Sequence, residues 1–177
     1  MPGYRIQAAI FKLSVPFCNR FTHNFWILRE VESNTVVAQL HGFATSRRRN
    51  EAVPIGFSRD HSLRAHSIVY DTNLALQYGL QVGTYALPIH AYHTVYEKED
   101  CIQRWLKAIE AVNVINNLDL NYPPGGFRIP LSATINSNSI YHTFAQVMDI
   151  PLHTFEGFFH IGMHTSIYDQ IKKSLIK

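Results

Sequence analysis

The sequence is poor in cysteine and in charged residues. Its two cysteines, Cys18 and Cys101, lie far apart and match neither a metal-binding pattern nor a disulfide framework. Charged residues make up 16% of the chain, and the net charge is only +3. The one dense basic cluster is Arg47-Arg48-Arg49, which we interpret as a solvated loop, with an anion or membrane-surface contact as the alternative. We therefore expect no nucleic-acid partner.

The sequence also lacks the segments that direct a chain to or across a membrane. No basic N-terminal region is followed by an apolar core, and no stretch reaches the ~18 to 20 apolar residues that span a bilayer. We therefore expect a soluble protein without a signal peptide and without a transmembrane segment.

The residues that are plentiful are typical of a packed globular domain. Apolar residues make up 46% of the chain and aromatic residues 12%, which is enough to form a hydrophobic core. A chain of 177 residues also lies within the usual size range of one domain. Residues 1–177 are therefore expected to form a single domain.

The first half of the chain has the pattern of β-strands. Runs rich in β-branched and aromatic residues are separated by short polar or glycine-containing segments. The polar residues 32–34 between the second and third runs predict a β-hairpin. Residues 42–60, which include Pro54 and Gly56, are expected to form a loop. Strands are predicted over residues 4–13, 23–31, 35–41, 61–70 and 85–96.

The second half of the chain contains helical segments. Residues 98–117 carry apolar side chains at helical spacing, among them Ile102, Trp105 and Ile109, and this stripe predicts packing on a sheet. Further helices are predicted over residues 139–147 and 165–176. The whole pattern indicates an α+β fold, in which an antiparallel β-sheet packs against helices.

The stretch Asn136-Ser137-Asn138-Ser139 leads into the predicted helix and is the most informative in the chain. The first N–H groups of a helix have no intrahelical partner and the helix dipole is positive there, so a developing anion is stabilised. A nucleophilic side chain at this point is well placed for chemistry. Because Ser and Asn are also the commonest N-cap residues, the alternative interpretation is that the stretch only caps the helix. The two interpretations are compatible if Asn138 or Ser139 is the cap and Ser137 presents its hydroxyl to a cleft.

The chain is rich in histidine, the side chain best suited to proton transfer near neutral pH, with ten in all. His23 opens one apolar strand and His41 closes the next, so a hairpin would bring both imidazoles to the same region. With Ser137 nearby they would form a nucleophile, a base and an orienting group. Taken one at a time, each histidine is better explained as a hydrogen-bonded structural side chain.

A metal site is a further alternative. His160 and His164 have the i, i+4 spacing of helical zinc ligands, and Glu156 lies one turn earlier. Gly157 and Gly162 argue against a regular helix in this segment. We therefore predict neither a metal nor another cofactor.

These features together resemble a known family. A strand that opens with His23 and carries Trp26, a second strand that ends in His41, and the Asn136-Ser137 helix start resemble the circularly permuted NlpC-type branch of the papain-like superfamily. That branch includes relatives of lecithin:retinol acyltransferase and many bacterial proteins. The resemblance implies a papain-like fold with His23 as general base, His41 as orienting residue and Ser137 in the nucleophile position.

The chain departs from this family at the nucleophile, which is Cys in the family and Ser137 here. A serine hydroxyl depends more strongly on its base and on oxyanion stabilisation than a thiol does. The resemblance implies hydrolysis or transfer at an amide or ester bond, and places Asn136, Asn138 and Ser139 beside the substrate. Backbone N–H groups near Asn138 and Ser139 are expected to stabilise the oxyanion. The expected substrate is an amide of peptidoglycan, with a lipid ester as the alternative.

The Asn136 to Ser139 motif also resembles uncharacterised bacterial proteins, some of them similar to cell-wall-targeting effector toxins. This implies a bacterial source, an antibacterial role, an immunity or delivery protein as partner, and either a cytoplasmic location or export by a dedicated secretion system. Two other hypotheses stay open. One is a non-catalytic binding module in which Ser137 only caps its helix, and the other is the metal-dependent hydrolase.

Overall fold

The fold consists of one antiparallel β-sheet with helices packed on it. The structure, a computed structural model, describes residues 3–14 and 19–175. Within them lie strands β1 (Tyr4–Lys12), β2 (Thr22–Glu30), β3 (Val36–Ser46), β4 (Glu51–Ala52), β5 (His61–Val69) and β6 (Ala91–Tyr96), and helices α1 (Thr72–Tyr78), α2 (Cys101–Asn117), α3 (Ser137–Met148) and α4 (Tyr168–Leu175). The strand order is β4-β3-β2-β1-β6, and β5 also pairs with β3. The expected α+β class with an antiparallel sheet is confirmed.

The central strands β1 and β2 are buried on both faces. Residues Ala8, Ala9, Phe25 and Trp26 are all fully buried, so these strands are apolar without alternation. One face packs on the helices, and the other carries a small cluster of Ala9, Phe25 and Ile27. Leu87 and Ile89 of the segment before β6 pack on that cluster. This segment therefore covers the face of the sheet opposite the helices.

Helix α3 is held against the sheet by its aromatic residues. Trp26 of β2 stacks on Tyr141 with ring centroids 4.5 Å apart, and its indole N–H donates to the Tyr141 carbonyl at 2.9 Å. Phe144, one turn further, is fully buried. Burial of each such ring contributes roughly 1.5 to 3 kcal/mol to stability. The helix start is thereby fixed relative to β2 and β3.

Strand β3 is longer than the sequence indicated, because it continues through Gly42 to Ser46. The loop prediction for residues 42–60 is therefore wrong in its first part. Gly42 pairs with Ala65 of β5 while the start of α3 lies against it. A Cβ at this position would lie only 2.7 Å from Ile140 Cβ. Glycine is thus needed here for close approach of the helix and does not mark a loop.

Other elements also differ from the sequence prediction, and α2 and α4 each begin three residues later than expected. Residues 85–90 are not a strand, since β6 begins at Ala91. Helix α1 was not predicted; its N-cap is Asp71, whose carboxylate accepts the Leu74 N–H at 2.6 Å. Helix α3 begins at Ser137, two residues before the expected start. Among the described residues, no helix is both long enough and apolar enough to cross a bilayer.

The basic triplet is only partly the solvated loop that we expected. Arg48 and Arg49 have side chains 87% and 66% exposed. Arg47 instead pairs with Asp119 at 3.2 Å and donates to the Asn121 side chain at 2.8 Å. It therefore links the end of β3 to the segment after α2 and has a structural role.

Candidate active site

Helix α3 begins with a capping box formed by Asn136 and Ser139. The Asn136 side chain accepts the Asn138 N–H at 2.9 Å, and the Ser139 hydroxyl accepts the Asn136 N–H at 3.1 Å. Two of the orphan donors of the first turn are thereby satisfied. The N-cap is Asn136, whereas the sequence had suggested Asn138 or Ser139.

Three of the four motif residues also tie the helix to its neighbours. The Asn136 amide donates to the Gly126 carbonyl at 2.8 Å, and the Ser139 hydroxyl donates to the Gly162 carbonyl at 2.8 Å. The Asn138 side chain accepts the Asn24 N–H at 2.9 Å. All three side chains are buried, and their hydrogen bonds hold the helix start in place.

The expected oxyanion role of Asn138 and Ser139 does not fit this geometry. The Asn138 N–H donates to the Asn136 side chain, and the Ser139 N–H donates to the Asn136 carbonyl at 3.0 Å. Both N–H groups are therefore already paired within the turn. On the same turn, the Ser137 N–H has no backbone acceptor among the described residues.

Ser137, the first residue of α3, faces away from this network. Its hydroxyl lies 3.5 Å from the Tyr122 hydroxyl, at the outer limit of a hydrogen bond. Burial raises the pKa of Tyr122 above its usual value of 10.0, while hydrogen bonds from the Ser137 hydroxyl and N–H lower it. The Tyr122 hydroxyl is thus near both polar groups of Ser137, and among the described residues it is the side chain to which the Ser137 hydroxyl is hydrogen-bonded.

The β2–β3 hairpin brings His23 and His41 into contact, as the sequence predicted. His23 Nε2 and His41 Nδ1 lie 3.1 Å apart, and both side chains are buried. Phe25 and Phe43 stack on these rings, with centroid separations between 4.6 and 5.8 Å. The aromatic neighbours exclude water from the pair and limit rotation of both imidazoles.

Gln39 fixes the proton positions in this pair. Its amide faces the backbone of Leu87, with Oε1 accepting the Leu87 N–H at 3.2 Å and Nε2 donating to the Leu87 carbonyl at 3.3 Å. This double contact sets which amide atom is oxygen. Gln39 Oε1 also lies 2.8 Å from His41 Nε2, so His41 Nε2 must carry a proton and donate it.

The direction of the remaining hydrogen bond follows from this assignment. Burial lowers the pKa of His41 well below 6.5, so its ring is neutral and Nδ1 is an acceptor. His23 Nε2 then donates to His41 Nδ1. Burial also lowers the pKa of His23 to about 4, so His23 is neutral with an unprotonated Nδ1. That nitrogen has no hydrogen-bond partner among the described residues and is available as a base.

Ser137 and His23 line the same cavity, although no hydrogen bond joins them. The cavity has a volume of about 290 Å³ and lies beside the point where β2 and β3 separate after the Trp26–Leu40 pair. Phe43, Tyr85, Leu87 and Tyr122 supply much of its wall. The structure therefore brings the three predicted catalytic residues, Ser137, His23 and His41, into one region.

A second, larger groove also borders Ser137. It has a volume of about 720 Å³, and Tyr122 and Ser137 line both spaces. Six phenylalanine or isoleucine side chains line it, namely Phe21, Ile55, Phe57, Phe127, Phe159 and Ile161. Among the described residues, no Asp, Glu, Lys or Arg lines either space, while His23 lines the smaller one and Thr22, Asn136 and Asn138 line the larger one. Both spaces next to Ser137 are therefore mainly apolar.

The metal alternative does not survive the structure. Residues 156–164 form turns, so His160 and His164 do not share a helical face. The ring nitrogens of His160 lie within 3.0 Å of the Asn24 side chain and the Phe155 carbonyl. Among residues 3–14 and 19–175, no group of three metal-ligating side chains is placed to hold an ion. His160 instead anchors its segment to β2.

Cys101 takes no part in the site. Cys101 is buried, and burial raises the pKa of its thiol. A thiol in this state is a poor nucleophile. Cys18 lies outside the described residues.

Sequence reasoning missed two residues of the site. Gln39 precedes His41 by two positions on the same strand, so both side chains share a face, and this spacing was a usable signal. Tyr122 lies in a Pro-Gly turn region remote from the motifs, and no local pattern pointed to it. Its place beside Ser137 arises from the tertiary fold.

Comparisons of the chain with protein-family models, with curated proteins and with solved structures find no match. The papain-like fold and the activity that the resemblance implies therefore stay predictions.

Proposed function

We propose that this protein hydrolyses or transfers an acyl group, with Ser137 as nucleophile and His23 as general base. The observation that carries the proposal is that Ser137, at the start of α3, and the buried His23–His41–Gln39 chain border one cavity. The order of these groups matches the resemblance to the permuted papain-like branch. His41 and Gln39 do not touch the substrate in this scheme; they orient His23.

The chemistry begins with proton transfer from the Ser137 hydroxyl to His23 Nδ1 as the oxygen attacks the substrate carbonyl carbon. Substrate binding brings the two groups into hydrogen-bond contact, as is common for sites that are loose when empty. The carbonyl π-bond opens to an oxyanion. In this proposal the Ser137 N–H and the Tyr122 hydroxyl, which contact each other in the empty site, turn to the oxyanion and stabilise it. His23 then protonates the leaving group, and the serine ester that remains passes its acyl group to water or to another acceptor.

The apolar character of both spaces favours an ester with an apolar acyl chain over peptidoglycan. The peptide and sugar parts of peptidoglycan carry charged and hydroxyl groups that need polar partners when bound. The larger groove offers Phe57, Phe127 and Phe159, without a charged side chain. We therefore place the lipid-directed esterase or acyltransferase ahead of the cell-wall amidase that the sequence favoured.

A non-catalytic binding module is the second candidate function. It is favoured by the contact of the Ser137 hydroxyl, which lies near Tyr122 and makes no hydrogen bond to His23. In that case the two apolar spaces would bind a ligand without covalent chemistry. The resemblance to bacterial effector proteins, with an immunity or delivery partner, is compatible with either candidate.

The test compares wild type, Ser137→Ala and His23→Ala on three substrates: nitrophenyl esters from acetyl to dodecanoyl, phospholipid vesicles, and purified peptidoglycan. Ser33→Ala, an exposed serine in the β2–β3 turn, is the matched control. We expect turnover of the longer esters that both site variants reduce by about 10³-fold or more, because nucleophile and base act as a unit. Equal turnover by all four proteins, or none by wild type on any substrate, would reject the catalytic proposal.

A further inference from the structure

Large apolar side chains are exposed around the mouth of the larger groove. Phe57 is 84% exposed and Ile129 is 89% exposed, which leaves nearly the whole of each side chain in water. Ile55, Phe127 and Phe159 are between 42% and 44% exposed. We call these five residues the apolar rim. Clusters of this kind on a folded domain mark binding surfaces, whereas isolated exposed residues do not.

The rim is continuous with the groove that reaches Ser137. Ile55, Phe57, Phe127 and Phe159 each line the groove as well as its mouth. Gly125 lies between two of them, because a Cβ built there would be 3.5 Å from the Phe57 ring and 3.7 Å from the Phe127 ring. Ile129 extends the same loop two residues beyond Phe127. An apolar chain that enters at the rim can therefore pass directly to the nucleophile.

Two arginines, Arg20 and Arg128, are neighbours of rim residues in space or in sequence. The Arg20 guanidinium lies over the Phe159 ring, 4.5 Å from its centroid, and Arg128 is exposed between Phe127 and Ile129 in sequence. Neither arginine forms an ion pair with any residue that the structure describes. The acidic Glu156 is exposed nearby, next to Gly157, whose carbonyl accepts the Arg20 Nε–H at 2.7 Å.

We propose that the apolar rim docks on an anionic phospholipid surface, with its phenylalanine and isoleucine side chains in the acyl region and Arg20 and Arg128 at the phosphates. Aromatic and aliphatic side chains flanked by basic residues are the combination that such interfaces bind. A water-soluble protein partner would not require unpaired cations beside the most exposed apolar residues. The link from this surface to catalysis rests on the proposed function, but docking itself does not need chemistry at Ser137.

The test is co-sedimentation of the whole protein with vesicles of phosphatidylcholine alone and of phosphatidylcholine mixed with phosphatidylglycerol. Wild type should bind the mixed vesicles, and added salt should weaken this binding because it screens the arginines. The double variant F57S/I129S should lower partitioning by about tenfold or more, since two large apolar contacts are lost. Leu76→Ser, at an exposed residue of α1 away from the groove, is the matched control and should bind as wild type does.

The charge part of the proposal has its own variant. Arg20→Gln combined with Arg128→Gln should remove the preference for phosphatidylglycerol while leaving the weaker binding to neutral vesicles. Circular dichroism of each variant reports whether the fold is kept, and Ile129→Ser alone, at the most exposed position, supplies a second apolar variant. A several-fold loss of binding is expected for it.

Three results would overturn the docking proposal. These are absence of wild-type binding to mixed vesicles, equal losses in the rim variants and in Leu76→Ser, and concentration-dependent self-association that the rim variants abolish without any vesicle binding. The last result would assign the rim to a second copy of the chain. Ser137→Ala should bind vesicles as wild type does, so a failure of the catalytic proposal is separable from a failure of docking.

Discussion

Two sides of one helical turn behave differently in this protein. At the start of α3, Asn136, Asn138 and Ser139 are enclosed in hydrogen bonds to the turn itself and to neighbouring segments. The hydroxyl of Ser137, between them, makes one long hydrogen bond within the described part of the chain, to Tyr122, and Ser137 borders two mainly apolar spaces. The closed side fixes the helix, and the open side is left for a ligand.

The comparison shows how a rigid site is built from adjacent residues. Buried polar groups stabilise a fold only when each one is paired, as on the closed side. A reactive group must instead keep part of its bonding capacity unused, yet its position must be held by other residues. Here the capping residues hold the backbone of Ser137, while Gln39 and His41 hold His23.

The largest effect on stability is expected from acidification, because it protonates His23, which lines the same cavity as Ser137. His23 is buried and neutral with a pKa of about 4, whereas an unfolded histidine titrates near 6.5. Between these values the unfolded chain binds more protons, so stability falls as the pH is lowered from 6.5 to 4. His23 alone contributes a loss of roughly 3 kcal/mol across this window.

Denaturant unfolding of wild type and His23→Phe at a series of pH values measures this contribution. Phenylalanine fills a similar space without a titrating group, so the variant should show a shallower dependence on pH between 4 and 6.5. Parallel curves for the two proteins would mean that His23 is not buried and neutral.

The next effect separates two serines of the same turn. Ser139→Ala removes the acceptor for the Asn136 N–H and the donor to the Gly162 carbonyl, so we expect a loss of about 1 to 3 kcal/mol in the free energy of unfolding. Ser137→Ala removes only the long contact to Tyr122 and should change stability by less than about 0.5 kcal/mol. Equal losses measured by chemical denaturation would contradict the division of the turn into two sides.

The smallest predicted effect concerns Gln39. Gln39→Leu removes the acceptor of His41 Nε2, so His41 loses its single tautomer and His23 is oriented less well. We expect about a tenfold fall in turnover, the size of one lost hydrogen bond in the positioning of a base. Nitrogen-15 NMR of the imidazoles reads the tautomer directly, without any substrate.

A buried glutamine elsewhere in the sheet provides the control for this variant. Gln7 of β1 is 1% exposed, and its side chain is hydrogen-bonded to the Thr94 hydroxyl at 2.8 Å and to the Arg29 guanidinium at 2.9 Å. Gln7→Leu should lower stability while leaving the His41 tautomer and turnover unchanged. If His41 keeps one tautomer in Gln39→Leu, the positioning role of Gln39 is wrong.

The sequence was most informative where structure is local. The apolar spacing around Trp105 predicted α2, and the polar turn at residues 32–34 predicted the hairpin that joins His23 to His41. The sequence was misleading at Gly42, because glycine is common in loops and a loop was predicted there. In the structure Gly42 lies within β3, and glycine is required by the close approach of Ile140. The sequence also placed the start of α3 two residues late, because Asn138 or Ser139 was interpreted as the N-cap, a role that Asn136 has in the structure.

The parts of the site that sequence could not supply depend on contacts between distant segments. The Gln39 side chain is bonded to Leu87, 48 residues away, and Tyr122 reaches Ser137 from a turn region with no helical or strand pattern. The apolar groove is likewise assembled from six separate stretches of the chain, within residues 13–14, 21–22, 54–57, 122–127, 136–138 and 159–161. The periodicity of apolar residues indicates only which face of a helix or strand is buried. It therefore does not predict contacts between segments that are distant in sequence.

The central claim, that Ser137 is an activated nucleophile, is tested most directly by labelling with a fluorophosphonate, which reacts with base-activated serines and needs no knowledge of the substrate. Intact mass and peptide mapping should show one adduct, on Ser137, that forms in wild type and Ser33→Ala and is lost in Ser137→Ala and strongly reduced in His23→Ala. No adduct in wild type, or an adduct that forms equally well without His23, would contradict the claim.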